Sequence, residues 1–237
     1  MPPMMTVSLA DGAMPCCAAI APGGQPGVLI IPSVLGLDTG CTALVERFVR
    51  SGVSAVAPDL FWRVAAGPLP PEERGLALER ADAADPRQLL RDLIATRRWL
   101  GDQGAGPIIA LGVGFGGRFA MLTAARGAVA GAITWSGGGL IRLIDLSNQI
   151  SCPLSMHFGE DDDLIPRAEV ARLQNTLGTR DDVSIHLHPG AGHGFAQRGH
   201  PNFSPVPANA AFADALRTLE RLSGLRLRPS LSREKRP

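Results

Sequence analysis

Three short stretches of this chain hold residue types that can do chemistry together. Gly112-Val113-Gly114-Phe115-Gly116 has the spacing G-x-nucleophile-x-G, the frame of a sharp strand-to-helix turn that needs small flanking residues and strains its central one. A carboxylate, Asp162, and then an imidazole, His193 in Gly-His-Gly, follow it in the order nucleophile, acid, histidine. An imidazole needs a carboxylate on one nitrogen to fix its tautomer and support its charge, which leaves the other nitrogen to move protons. The central position of the frame is Gly114, a residue with no side chain to attack with.

The same glycines allow a second reading. Gly112, Gly114 and Gly117 satisfy GxGxxG after a strand and at the start of a helix, the formal setting of a dinucleotide fingerprint. That motif also wants an acidic residue about 20 positions on, at the end of the next strand, to hold the ribose. Here the next strand ends Thr134-Trp135-Ser136-Gly137 and the next carboxylate is Asp145. An oxidoreductase is therefore the lowest-ranked reading, and no cofactor is expected.

These residues need a scaffold, and the hydrophobic pattern supplies one. Short apolar runs at 28–31, 54–57, 108–111, 130–135, 154–158 and 183–187 alternate with amphipathic stretches at 42–50, 86–100, 117–125, 167–177 and 208–222. This alternation predicts an α/β fold with a doubly wound, mostly parallel sheet and helices on both faces. Residues 67–74, with Pro68, Pro70 and Pro71, read as a loop over one end of it. Ligands bind at the carboxyl ends of such strands, where the loops with Ser33, Gly114, Asp162 and His193 all fall.

Composition narrows the chemistry. The 237 residues include 28 Gly and 20 Pro, no Tyr, and a single Lys, Lys235. P-loop, pyridoxal and protein-kinase chemistry each need a lysine in the folded body, so all three are excluded. A net charge of +1 offers no broad field for nucleic acid or an anionic membrane. No apolar run approaches the roughly 18 residues that span a bilayer, and the start of the chain lacks signal-peptide character, so it reads as cytoplasmic. The four cysteines spell out neither a disulfide framework nor a metal site. A single domain over 1–225 is expected, with 226–237 a basic, disordered tail and a monomer favoured.

With these segments in place, the chain resembles the dienelactone hydrolases, or carboxymethylenebutenolidases, of the α/β-hydrolase fold. The likeness rests on Leu35-Gly36, Ala57-Pro58-Asp59-Leu60-Phe61, the stretch 112–120, the stretch 159–166 and Ala191-Gly192-His193-Gly194-Phe195-Ala196. It implies a cysteine nucleophile at position 114, Asp162 as acid, His193 as base, and an oxyanion hole from the backbone N–H groups of Val34 and Phe115. It implies a small ester or lactone as substrate. Three positions depart from the family pattern: Gly114 replaces the cysteine, Ser33 stands where a glutamate is usual, and Gln197 precedes the expected basic residue, here Arg198. Hydrolysis is accordingly expected to be lost or impaired, and a non-catalytic relative binding small molecules in the same pocket is the alternative.

The remaining candidates have ordinary readings beside the sharp ones. Ser33 is a replacement nucleophile or, more simply, a turn residue. Trp62, Trp135 and Phe195 line an apolar pocket or belong to the core. Asp161 and Asp163 read as a solvated loop. His186 and His188 share one strand face, but two ligands without a third do not make a metal site, and none is expected. His157 and His200 read as structural, and Cys41 as a small buried hydrophobe.

Overall fold

The computed structural model describes residues 2–227, so most of the basic segment 226–237 lies outside the described residues. A hairpin comes first, β1 (Met4–Leu9) and β2 (Gly12–Ala19), followed by β3 (Gly27–Ile31), α1 (Thr39–Arg50) and β4 (Ser54–Pro58). Next come α2 (Arg74–Ala83), α3 (Pro86–Asp102), β5 (Ile108–Val113), α4 (Gly116–Ala125) and β6 (Gly131–Trp135). A 3-10 segment (Leu140–Gln149), β7 (Leu154–Gly159), α5 (Arg167–Leu177), β8 (Val183–His188) and α6 (Pro205–Ser223) complete the order. The strands form one eight-stranded sheet in the order β1-β2-β4-β3-β5-β6-β7-β8. The β1–β2 and β2–β4 pairs are antiparallel and every other pair is parallel, so β2 alone runs against the rest.

Local chemistry explains where these elements begin. Asp38 caps α1 by accepting from the Cys41 amide at 2.8 Å, and Asp85 caps α3 with Pro86 in its first turn. The strands β3 to β7 are buried at every residue, as parallel strands covered on both faces must be. Alternate residues then enter opposite cores. Val28 and Ile30 share one with Phe48 of α1 and Phe212 and Leu216 of α6. Leu29 and Ile31 share the other with Leu93 of α3, Phe119 of α4 and Leu173 of α5.

The expected strands and helices are present, with ends shifted by a few residues. The hairpin is additional: Pro15, Cys16, Cys17 and Ala18 carry little of the β-branched or aromatic character that marks a strand. Residues 67–74 do run as a loop, closing in a short 3-10 turn at Pro71–Glu73 that leads into α2. Among the described residues no helix is long and apolar enough to cross a membrane.

One half-buried group makes stability depend on pH. His188 at the end of β8 packs against His157, with ring centroids 5.3 Å apart, and against Phe195 at 4.8 Å. Burial, reinforced by His157 and His186, pushes its pKa down from 6.5 to about 4, against a weaker opposing pull from Asp214. Between these values the unfolded chain holds a proton that the folded chain does not, so stability falls as pH drops through this window. Urea unfolding at pH 7 and pH 4.5 should show that loss, and His188→Gln should make it shallower. An unchanged pH slope in the variant would assign the loss to other groups.

Candidate active site

The turn from β5 into α4 takes two residues, and its geometry separates three glycines by what each must tolerate. A Cβ on Gly112 would stand 2.2 Å from the Gly116 carbonyl oxygen, and one on Gly116 would stand 2.2 Å from that of Ile31. Both positions therefore require glycine. Gly114 has a φ of +52°, the left-handed region, but a Cβ there meets only the Ser33 Cβ at 3.5 Å. The turn is pinned by the Gly114 N–H, which donates to the Trp135 carbonyl at 2.8 Å, and by the Gly117 N–H, which donates to the Gly114 carbonyl at 3.0 Å. It is the strained strand-to-helix elbow expected from the motif, with space above its central residue.

His193 faces this elbow across a cleft of about 370 Å³ that Ser33, Val34, Gly114 and Phe115 also line. Its Nδ1 lies 3.1 and 3.0 Å from the two carboxylate oxygens of Asp162. The Asp162 side chain is 1% exposed, and its Oδ1 accepts from the amides of Leu164 at 2.9 Å and Ile165 at 3.0 Å. The carboxylate is thus fixed before it meets the imidazole. The His193 loop is held in turn by the Gly194 N–H donating to Ser136 Oγ at 3.1 Å and by Asn202 Nδ2 donating to the His193 carbonyl at 3.1 Å. Ser136 adopts the left-handed region itself, φ +49°. Burial, then the neighbouring His193, lowers the pKa of His200, which meets the His193 ring edge-on at 6.3 Å.

Val34 and Phe115 flank Gly114, and among the described residues neither backbone N–H donates to a protein acceptor. The Val34 peptide is placed by a residue that sequence inspection does not single out. Arg80 of α2, 4% exposed, donates to the carbonyls of Val34 at 2.9 Å, Ala65 at 3.0 Å and Gly67 at 2.6 Å. It fastens the loop after β3 to the loop after β4. Ser33 Oγ accepts from the Leu35 amide at 3.3 Å and from Gln197 Nε2 at 3.4 Å, and Gln197 also donates to Asp38 at 2.6 Å. Its hydroxyl is engaged as a turn group, with no bond to His193.

Of the two readings of the aromatic candidates, pocket or core, the structure favours core. Trp135 is 1% exposed and Phe195 0% exposed, and both belong to the core beneath α1 and α6. Trp135 follows Ile133 by two residues, so strand alternation sends it to the same buried face. Trp62 packs beside the hairpin, under the Arg63 guanidinium, with its Nε1 donating to Asp92 at 3.4 Å. Instead, the cleft walls carry Arg74, Arg118 and Arg142, with Leu164 and Ile165 as apolar contacts. Arg118 follows the elbow within α4, which was a usable signal; Arg74 and Arg142 sit beyond loops whose paths no motif marks. Cys41 is buried, and burial with the nearby Asp38 pushes its thiol well up, in keeping with a small core residue.

This sheet order, elbow and histidine loop are those of an α/β hydrolase. The chain superposes on an α/β hydrolase of Penicillium sp. sh18 with a TM-score of 0.73 at 15% identity, covering 95% of this chain and 100% of that one. A structure from Klebsiella pneumoniae subsp. pneumoniae assigned to the dienelactone hydrolases gives 0.83 at 22% identity, covering 93% and 98%. The profile of the dienelactone hydrolase family matches residues 16–223, and the chain belongs to that family. Carboxymethylenebutenolidase 1 of Cupriavidus pinatubonensis is 31% identical over 208 residues, 85% of this chain and 87% of the relative.

The contrast between the glycines yields a prediction. Gly114→Ala should cost about 1–2 kcal/mol, the strain of an L-residue in left-handed backbone. Gly112→Ala should cost several times more or prevent folding, because two backbone segments must move apart. Urea unfolding of the two purified variants compares them, and equal losses would show that the elbow can relax.

Proposed function

We propose that this protein is a dienelactone-hydrolase-type scaffold for small esters or lactones whose nucleophile position is occupied by Gly114, so that hydrolysis is lost or strongly reduced. The observation that carries this reading is the space over Gly114. A side chain there would enter the cleft that His193, Val34 and Phe115 also line, yet glycine provides nothing to attack a carbonyl. In this reading Asp162 orients His193, His193 Nε2 is the general base, and the N–H groups of Val34 and Phe115 receive the oxyanion. Arg74, Arg118 and Arg142 on the cleft walls favour a substrate that carries a carboxylate.

A slower route follows from the same parts. A water over Gly114 gives a proton to His193 Nε2 as its oxygen bonds to the carbonyl carbon, and the carbonyl electrons move onto the oxygen held by the two amides. Collapse breaks the bond to the leaving alkoxide, which takes the proton back from His193. When a triad member is missing, the remaining groups retain about 10³–10⁴-fold over water. No acyl-enzyme forms on this route.

Short-chain aryl esters test the proposal. The protein as it stands should hydrolyse them slowly, at no more than about 10³–10⁴-fold over water, and Gly114→Cys should raise kcat/KM by roughly a further 100-fold or more through nucleophilic attack. Adding His193→Ala to Gly114→Cys should remove the gain. A folded Gly114→Cys protein that binds ester without a His193-dependent rate would make the cleft a binding site and overturn the hydrolase reading.

A further inference from the structure

On the side of the sheet beneath α6, the last two strands change character. β3, β5 and β6 turn Ile30, Leu111 and Ile133 to that side. On β7 and β8 the corresponding places are taken by Ser155, His157, Ser184, His186 and His188, and α6 sets Asp214 against them. Burying polar groups costs stability unless each finds a partner. One does not: His186 Nε2 is buried without a hydrogen bond. It stands 4.0 Å from Asp214 Oδ1, while His157 Nε2 stands 3.2 Å from Asp214 Oδ2. The ligand atoms of these three residues lie within 4.8 Å of one another.

We propose that His157, His186 and Asp214 form a binding site for a divalent transition-metal cation, zinc in the first instance, separate from the His193 cleft. Two imidazoles and a carboxylate with one open position are a zinc donor set. Zinc–ligand bonds of 2.0–2.2 Å place tetrahedral neighbours about 3.4 Å apart. The His157–Asp214 pair already has nearly that spacing. His186 stands 4.0 Å from Asp214 Oδ1 in a set whose ligand atoms span up to 4.8 Å, so it reaches that spacing by closing between about 0.6 and 1.4 Å, and its side chain is 38% exposed on the edge strand.

The surroundings supply what ligands need from their neighbours. His157 Nδ1 is 3.0 Å from His188 Nε2, so a metal-bound His157 donates its Nδ1–H to His188, the outer contact that fixes a ligating tautomer. Ser155 Oγ donates to Asp214 Oδ2 at 2.7 Å and accepts from Ser184 Oγ at 3.0 Å, which orients the carboxylate. His186 and Asp214 open onto a surface cleft of about 650 Å³, a path for a hydrated ion. Two groups compete with a cation: Ser155 Oγ, 3.1 Å from His157 Nε2, and Arg217, whose guanidinium lies 3.0 Å from Asp214 Oδ1 and whose side chain, 59% exposed, can swing into water. Arg221, Arg226 and Glu220 complete the charged rim.

A cation held here ties together β7, β8 and α6, so its binding reads out as stabilisation of the fold. The full chain, stripped with a chelator and dialysed, is titrated with Zn²⁺ by calorimetry and melted with and without the ion. Co²⁺ is added separately to read ligand-field absorption. One saturable site per chain, a raised Tm and a tetrahedral Co²⁺ spectrum are expected. His186→Ala and, independently, Asp214→Asn should weaken binding about tenfold or more and abolish the Tm rise, since each removes a direct ligand. Arg217→Ala should bind at least as tightly as the parent, and His193→Ala should bind unchanged. Absence of a saturable site in the parent overturns the proposal. So does a site that survives both ligand variants, which would belong to the cysteine thiols, or one lost with His193→Ala, which would belong to the cleft.

Discussion

The end of β3 and the turn from β5 into α4 lie in backbone contact; the missing side chain of Gly116 lets them meet, and that of Gly112 lets the turn close on itself. The parallel register pairs Ile31 with Gly112, so the residues just beyond each strand, Ser33-Val34 and Gly114-Phe115, emerge side by side. Two residues from distant parts of the sequence, Val34 and Phe115, thereby line one cleft. The histidine arrives from the far side on a loop after β8, fixed by a carboxylate that is itself bound by two amides.

Much of this was legible because it is local. The elbow frame, the Asp162 loop and the His193 loop are each written within a few residues, and the strands between them are continuous apolar runs of the kind buried in parallel sheets. The hairpin was not legible, since its second strand is built from small residues and a proline that gain their extended form from pairing with β4 and β1. Whether Trp135 and Phe195 faced pocket or core stayed open for a related reason. Position at a strand end says that a residue is near the site, but the parity of the strand decides whether its side chain faces cleft or core.

Contacts between elements were the part least open to sequence reading. Arg80 is an unremarked helix residue until the fold sets it under the Val34 carbonyl. His186 and His188 lacked a third partner in the sequence, yet β7 brings His157 between their rings, and α6 brings Asp214 from a segment that carries no motif. Such convergence depends on register and helix phase together, neither of which a linear pattern encodes.

The space over Gly114 also bears on how such a chain can change over generations. Where a side chain is lost from a packed site, neighbours that grow into the gap make the loss hard to undo. Here only Ser33 approaches, at ordinary contact distance, and the backbone keeps the left-handed turn. The fold therefore sets little barrier to placing a side chain at this position, and its identity is left to selection on chemistry.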